Sequence, residues 1–181
     1  MLSIRILQLI VDTAATILGG VLLLRFWMQA IRVRPPASVG EFTFTLSDWL
    51  VRPLRRLVPG VGGYDWASLI GAFLVVSLAT SIYFLVGFSP EMVALKVVYR
   101  FLSWILYGLM ALLIVEAVFS WVNPHAPLAP FVRALNEPLL RHLRRLIPPM
   151  GGIDFSMLVA LILIQIVQLL LGSLFPPIIS A

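Results

Sequence analysis

A 19-residue segment occurs twice in this chain, 89 residues apart, and each copy lies between two long apolar runs. Residues 48–66 align with residues 137–155 without a gap, and ten of the 19 aligned positions are identical. The identical positions include two adjacent arginines, a proline, a Gly-Gly pair and an aspartate. The chain is therefore a duplicated unit of apolar run, basic connector and apolar run.

The apolar runs are long enough to cross a bilayer. About 20 helical residues span the roughly 30 Å of hydrocarbon, and a backbone in that environment must satisfy its own hydrogen bonds. Hydrophobic residues make up 61% of the chain and charged residues 12%. We therefore predict an all-α membrane protein whose four transmembrane helices form two repeats, residues 1–90 and 91–181. The predicted spans lie at about 6–31, 67–88, 97–122 and 156–175.

Because each repeat holds two spans, both repeats should have the same orientation and be parallel repeats. Nine arginines lie on or beside the two long connectors, against three basic residues near the opposite ends of the spans. Short loops rich in Lys and Arg stay on the cytoplasmic side. We expect a multi-pass membrane protein with cytoplasmic connectors and both termini on the opposite side of the membrane.

The connectors show an apolar stripe at helical spacing with arginines beside it. This pattern predicts a basic amphipathic interfacial helix in each repeat, at about 46–58 and 136–147, with Ser47 and Asn136 as N-caps and Pro53 as a break or restart. Because the chain has a net charge of +5, we expect it to bind anionic lipid headgroups and not nucleic acid. The predicted lipid-binding residues are Arg52, Arg55, Arg56, Arg141, Arg144 and Arg145.

A motif of the form Pro-x-x-Gly-Gly-x-Asp follows each interfacial helix. The proline ends the helix, the glycines permit positive φ, and the aspartate can cap the next span. A structural turn needs nothing more, but the paired turns could also form a small polar vestibule for an anion or a partner peptide. The motif residues are Pro59, Gly62, Gly63 and Asp65 in the first copy, and Pro148, Gly151, Gly152 and Asp154 in the second.

Arg25 and Glu116 occupy corresponding positions near the connector ends of the first and third spans. One interpretation is an ion pair that joins the two repeats. The other is that Arg25 reaches lipid phosphate while Glu116 is protonated or hydrated. Gln165 and Gln168 share a face of the fourth span. Hydrogen bonding between helices explains these two polar side chains more simply than an ion path does.

Little in the sequence indicates catalysis. The chain has no cysteine, and its two histidines, His125 and His142, lie in or beside the connectors. No nucleophile–base set, paired carboxylates or phosphate-binding loop occurs at a usable spacing. We expect neither an enzyme nor a bound cofactor or metal.

The segment Leu24-Arg-Phe-Trp-Met-Gln29 and the doubled glycine motif resemble the YggT family of small bacterial membrane proteins. This resemblance covers essentially the whole chain. It implies a multi-pass protein of the bacterial inner (plasma) membrane without an established enzymatic activity, so that the termini would be periplasmic. Relatives are linked to osmotic stress and ion homeostasis, to placement of division or nucleoid machinery, and in photosynthetic lineages to haem attachment on a cytochrome.

We expect a scaffold or assembly factor for other, unidentified membrane proteins, and a homo-oligomer is compatible with this role. A small oligomeric ion channel, or a modulator of potassium homeostasis, is the main alternative, and it would need several copies around a pore. A haem or cytochrome assembly factor is the third class, and it would need histidines placed to hold the group.

Overall fold

A computed structural model describes residues 2–147 and 154–175, with side chains from residue 5 onwards. Both repeats consist of a long helix, a connector helix and a second spanning helix. In chain order the helices are α1 (Leu2–Ala30), α2 (Ala37–Leu57), α3 (Trp66–Thr80) with a 3-10 extension (Ser81–Val86), α4 (Pro90–Val122), α5 (Ala129–Leu146) and α6 (Phe155–Leu174).

The predicted all-α fold with four spans is confirmed. Four helical segments in the described part of the chain are long and apolar enough to cross a membrane: Arg5–Ala30, Trp66–Val86, Pro90–Val122 and Phe155–Leu174. The third span begins earlier than predicted, because Ser89 accepts a hydrogen bond from the Met92 amide and Pro90 occupies the first turn. The charged residues of its first turns belong to this helix and not to a loop.

The connector helices are also longer than predicted. Helix α2 begins directly after Pro35-Pro36, and α5 begins at Ala129-Pro130, where proline suits the first turn. The prediction that Ser47 and Asn136 are N-caps is therefore wrong, since both lie buried inside their helices. Proline 53 neither breaks nor restarts α2, which continues through it to Leu57.

Each repeat has its own apolar core. Leu22, Val51 and Ala72 are fully buried where the three helices of the first repeat meet. Leu113, Leu140 and Ala160 form the equivalent centre of the second repeat. Each connector helix thus contributes one face to a protein core, while other apolar side chains such as Trp49, Leu57 and Leu146 remain exposed.

Contacts between the repeats show that α1 and α4 run in the same direction. Near the start of both helices, Arg100 of α4 donates to Asp12 of α1 over 2.7 Å. Near the other end of α1, the Trp27 indole donates to the Leu135 carbonyl of α5 over 2.9 Å. Since α5 follows the end of α4, the two connectors lie at the same end of the protein, as parallel repeats require.

Exposed aromatic rings gather at this connector end. Trp49, Tyr64, Trp66 and Trp121 all have large exposed surfaces there. Tryptophan and tyrosine are enriched where a bilayer meets water. This distribution of rings favours an interfacial position of the connector helices, which stays a prediction.

The two repeats approach closely where α1 passes α4. A Cβ atom at Gly19 would collide with the six-membered ring of Trp104. The neighbouring Gly20 faces open space, with no atom within 4 Å of such a Cβ. Only the first of these adjacent glycines is required by packing.

We predict opposite effects of alanine at these two positions. Gly20→Ala should raise stability by up to about 1 kcal/mol, because alanine favours the helix. Gly19→Ala should lower stability by about 1–3 kcal/mol, because it overpacks the contact with Trp104. Unfolding of the purified variants in one detergent, followed by circular dichroism, gives the comparison. Equal behaviour of the two variants would show that Trp104 moves aside at little cost.

Candidate functional site: two buried ionic clusters

Each repeat contains a group of polar and charged side chains where its connector helix meets the two spans. We call these groups the first and second ionic clusters. The first consists of Arg25, Ser47, Asp48, Arg52, Arg55, Asp65 and Ser68. The second consists of Glu116, Asn136, Glu137, Arg144, Asp154 and Ser156.

One ion pair is common to both clusters and explains much of the repeated motif. In the first, Arg55 of α2 holds Asp65 with two hydrogen bonds, Nη2 to Oδ2 over 2.6 Å and Nε to Oδ1 over 3.2 Å. In the second, Nε of Arg144 donates to Oδ2 of Asp154 over 2.8 Å. The arginine lies ten residues before the aspartate in each copy. This pair ties the end of the connector helix to the start of the next span.

The turn between these partners depends on its glycines. In the first copy, Gly62 and Gly63 have φ of 68° and 82°, a region that side chains with a Cβ atom rarely adopt. Pro59 follows the end of α2. In the second copy, Pro148, Gly151 and Gly152 lie outside the described residues, so the matching prediction for them stays a prediction.

The two aspartates satisfy the helix ends in different ways. Asp154 accepts from the backbone amide and the hydroxyl of Ser156, as an N-cap does. Asp65 makes no such bond to the backbone and accepts instead from the hydroxyl of Ser68 over 2.7 Å. The predicted capping role thus holds for Asp154 alone.

The electrostatic surroundings keep both aspartates ionised at neutral pH. Burial raises the pKa of Asp65, but the hydrogen bonds from Arg55 and Ser68, with the charges of Arg55 and Arg25, outweigh burial and lower it below its ordinary value. Burial likewise raises the pKa of Asp154, and the hydrogen bonds from Ser156 and Arg144 lower it by more. Each aspartate is therefore available as a fixed negative charge.

Arg25 belongs entirely to the first cluster. Its side chain is 5% exposed, and its Nη1 donates to Ser47 Oγ and to Asp48 Oδ1, both over 2.7 Å. Its Nε lies 3.5 Å from Asp65 Oδ2, and its guanidinium carbon lies 4.9 Å from the centre of the Phe44 ring. The first span thus carries a buried cation that two carboxylates of its own repeat compensate.

Glu116 occupies the corresponding place in the second cluster with the opposite charge. Its side chain accepts from Asn136 Nδ2 over 2.8 Å and from Arg144 Nη2 over 3.2 Å. Arg144 also donates to Glu137 Oε2 over 2.9 Å. One arginine is therefore shared by three carboxyl groups, those of Glu116, Glu137 and Asp154.

The predicted ion pair between Arg25 and Glu116 is wrong. Arg25 finds its partners on α2 and at Asp65, just before α3. The side-chain partners of Glu116 both lie on α5. Among the described residues, the charged pair that joins the repeats is Asp12 with Arg100, at the other end of α1 and α4. Ser47, Asp48 and Asn136 were not recognised as polar partners in the sequence. The internal alignment offers a signal for them, because it places Ser47 opposite Asn136 and Asp48 opposite Glu137.

The six arginines predicted to bind lipid differ in their surroundings. Arg55 and Arg144 are ion-paired within the clusters, and Arg52 pairs with Asp48 over 2.8 Å while remaining 77% exposed. Arg56, Arg141 and Arg145 are exposed on the connector helices. Lipid binding stays a prediction for the set, and the exposed members are the ones that headgroups can reach.

The remaining polar candidates lie apart from the clusters. His125 precedes α5 and His142 lies on it, and both are exposed. Gln165 is exposed on α6, and Nε2 of Gln168 is buried without a hydrogen-bond partner. Within residues 2–147 and 154–175, no group of three or more His, Cys, Asp or Glu side chains is arranged to hold a metal ion.

The fold and its paired clusters define an all-helical membrane protein made of two parallel span–connector–span repeats. The family described as CCB3/YggT matches this chain twice, over residues 4–86 and 95–175. The chain belongs to that family, and the predicted resemblance is confirmed.

Several bacterial relatives support this assignment. "Uncharacterized protein YggT" of Escherichia coli K12 is 31% identical over 171 residues, which cover 90% of this chain and 87% of the relative. A Haemophilus influenzae protein is 34% identical over 145 residues, covering 80% and 79%. A Vibrio alginolyticus protein is 30% identical over 171 residues, covering 87% and 89%. No solved structure matches the chain significantly.

The sharing of Arg144 predicts unequal effects of removing the two motif arginines. Arg144→Gln should destabilise the protein by about 3–5 kcal/mol, because it leaves the buried Glu116 and the partly buried Asp154 without their cation. Arg55→Gln should cost about 1–2 kcal/mol, because Asp65 keeps Arg25 and Ser68 and the lost side chain is half exposed. Thermal unfolding in one detergent checks the order.

Arg145→Gln is the matched control, since this neighbour of Arg144 is exposed and should change stability by less than about 0.5 kcal/mol. Equal losses at Arg55 and Arg144 would contradict the unequal roles assigned to the two clusters.

Proposed function

We propose that this protein is a non-enzymatic scaffold or assembly factor for other proteins of the bacterial inner membrane. The proposal rests on how the charged and apolar side chains of the spans are distributed. Arg25, Glu116, Asp12 and Arg100 are each paired within the chain, at one end of the spans or the other. The outer faces of α1, α4 and α6 are broadly apolar and available to lipid or to other helices.

A cleft between the repeats supports this proposal. It has a volume of about 330 Å³ and lies between α1 and α4, with Leu69 of α3 at its base. Its lining is glycine, alanine and large apolar side chains, including Gly20 and Gly108, with no charged residue. Glycines allow a neighbouring helix to approach closely. A transmembrane helix of a client protein fits this chemistry better than an ion does.

The channel alternative has less support. Ion conduction needs carbonyl groups, charged rings or a hydrated constriction along a path. The charged side chains of the described spans are grouped at the two ends, and the cleft between the repeats is apolar. The haem alternative has less support still, because both histidines are exposed on the connector side and lie outside the spans.

Photo-crosslinking from the cleft tests the scaffold proposal. We expect a photoreactive amino acid at Leu112, which lines the cleft, to give discrete protein adducts in growing cells. The same residue at Leu169, which is 75% exposed on α6, serves as the control for contact with lipid and random neighbours. Mass spectrometry then identifies the adducts as a client or as a second copy of this chain.

Two results would count against a scaffold. Adducts of equal pattern from both positions would show that the cleft has no preferred protein neighbour. Ion-selective currents from the purified protein in planar bilayers, with no adduct at Leu112, would favour the channel instead.

We also propose that the connectors are cytoplasmic and that the exposed connector arginines contact anionic headgroups there. Because the chain has no cysteine, single substitutions report topology directly. Ser38→Cys and His125→Cys, both exposed on connectors, should resist a membrane-impermeant thiol reagent in cells with a permeable outer membrane. Glu91→Cys, exposed at the opposite end, should react. The reverse pattern would invert the proposed orientation.

A further inference from the structure

A cationic cleft lies in the first repeat where α1 ends and α2 passes beside it. Its volume is about 440 Å³. Four arginines and no carboxylate are among its lining residues. The lining is completed by a glutamine, a glycine of the motif turn and apolar side chains. The arginines are Arg25, Arg32, Arg34 and Arg55.

The positive charge of this cleft exceeds the negative charge beside it. Asp48 and Asp65 compensate Arg25 and Arg55 from behind the lining. Arg32 and Arg34 are exposed and have no carboxylate partner among the described residues. Two positive charges therefore remain at the mouth of the cleft.

One arginine that lines the cleft also has a buried donor without a hydrogen-bond partner. Nε of Arg25 is buried and has no hydrogen-bond partner, and the nearest carboxylate oxygen, Asp65 Oδ2, lies 3.5 Å away. A buried donor without a partner costs about 1–3 kcal/mol. An acceptor that enters the cleft could relieve this cost.

The backbone at Arg32 is unusual for the residue it carries. Arg32 has φ of 57°, and the amide of Val33 donates to the Met28 carbonyl, which is the helix ending that normally places glycine at this position. Arginine is disfavoured there by the contact of its Cβ atom with the backbone. The helix ending does not explain the arginine, whereas its place at the mouth of the cleft does.

The second repeat lacks an equivalent. When the span ends are aligned, Glu116, Asn123 and His125 stand opposite Arg25, Arg32 and Arg34. The cationic cleft is therefore a property of the first repeat and not of the repeated motif.

We propose that this cleft binds one phosphate group, either that of an anionic lipid headgroup or a soluble phosphate. Guanidinium groups bind phosphate oxygens through paired, charge-assisted hydrogen bonds, and several arginines around one cleft suit a tetrahedral anion. The cleft lies at the connector end of the first span, where a bilayer crossed by α1 would place its headgroup phosphates. This specific site goes beyond the general attraction of the connector arginines for lipid, and it does not depend on the scaffold role.

Ligand-dependent thermal stability of the full chain in a neutral detergent tests the site. One arm titrates short-chain phosphatidylglycerol, and the other titrates inorganic phosphate, both at constant ionic strength. We expect saturable stabilisation. Response to the lipid alone assigns the site to a headgroup, and response to inorganic phosphate assigns it to phosphate itself.

Two variants separate binding from folding. Arg32→Gly should keep or raise the melting temperature without ligand, because glycine suits the helix ending, yet it should weaken binding several-fold. Arg32→Gly combined with Arg34→Gln should raise the half-saturating concentration at least about tenfold. The control is Arg141→Gln with Arg145→Gln, which removes two exposed connector charges from the second repeat. It should change the half-saturating concentration by less than about twofold.

Two outcomes would overturn the proposal. Equal weakening in the paired variant and its control would mean that ligand senses only the overall charge of the connectors. Absence of saturable stabilisation by both lipid and phosphate would mean that the cleft has no such ligand.

Discussion

The arginine–aspartate pair across each motif turn is the interaction on which both repeats depend. It joins the last turn of a connector helix to the first residue before a span, and so it fixes the connector against the two helices that flank it. A buried carboxylate is costly unless it is paired and hydrogen-bonded. In the first repeat, Asp65 meets this condition because the turn that contains Gly62 and Gly63 brings it back to Arg55. Pro59, the two glycines, Arg55 and Asp65 therefore act together as one structural unit.

Around this common pair the two clusters have diverged in the sign of their buried charge. Arg25 adds a cation to the first cluster, and Asp48 supplies the extra carboxylate that it needs. Glu116 adds a carboxyl group to the second, where Asn136 and the shared Arg144 bind it. A duplicated chain can make this change because each half keeps its own partners. The first repeat has a cationic cleft, and the second repeat has a cluster in which three carboxyl groups share one arginine.

The sequence predicted the fold well, because span length and internal repetition are properties of the chain itself. It predicted individual partners less well. Arg25 and Glu116 matched in depth and were opposite in charge, so an ion pair between them was reasonable. Depth, however, does not reveal which way a side chain points around its helix. The alignment of Ser47 with Asn136 contained the missing information, but a serine and an asparagine in a basic helix resemble N-caps until the helix start is known. The prolines at 36 and 130 mark those starts.

The pair of Asp12 and Arg100 has a consequence for how the chain enters the membrane. Arg25 can find both of its carboxylates as soon as α1, α2 and α3 have been synthesised. Asp12 cannot, because its partner lies 88 residues further along. The first hairpin must therefore hold an uncompensated carboxyl group in or near the bilayer until α4 arrives beside it. A chain that ends before residue 100 would therefore leave the carboxyl group of Asp12 without its arginine partner.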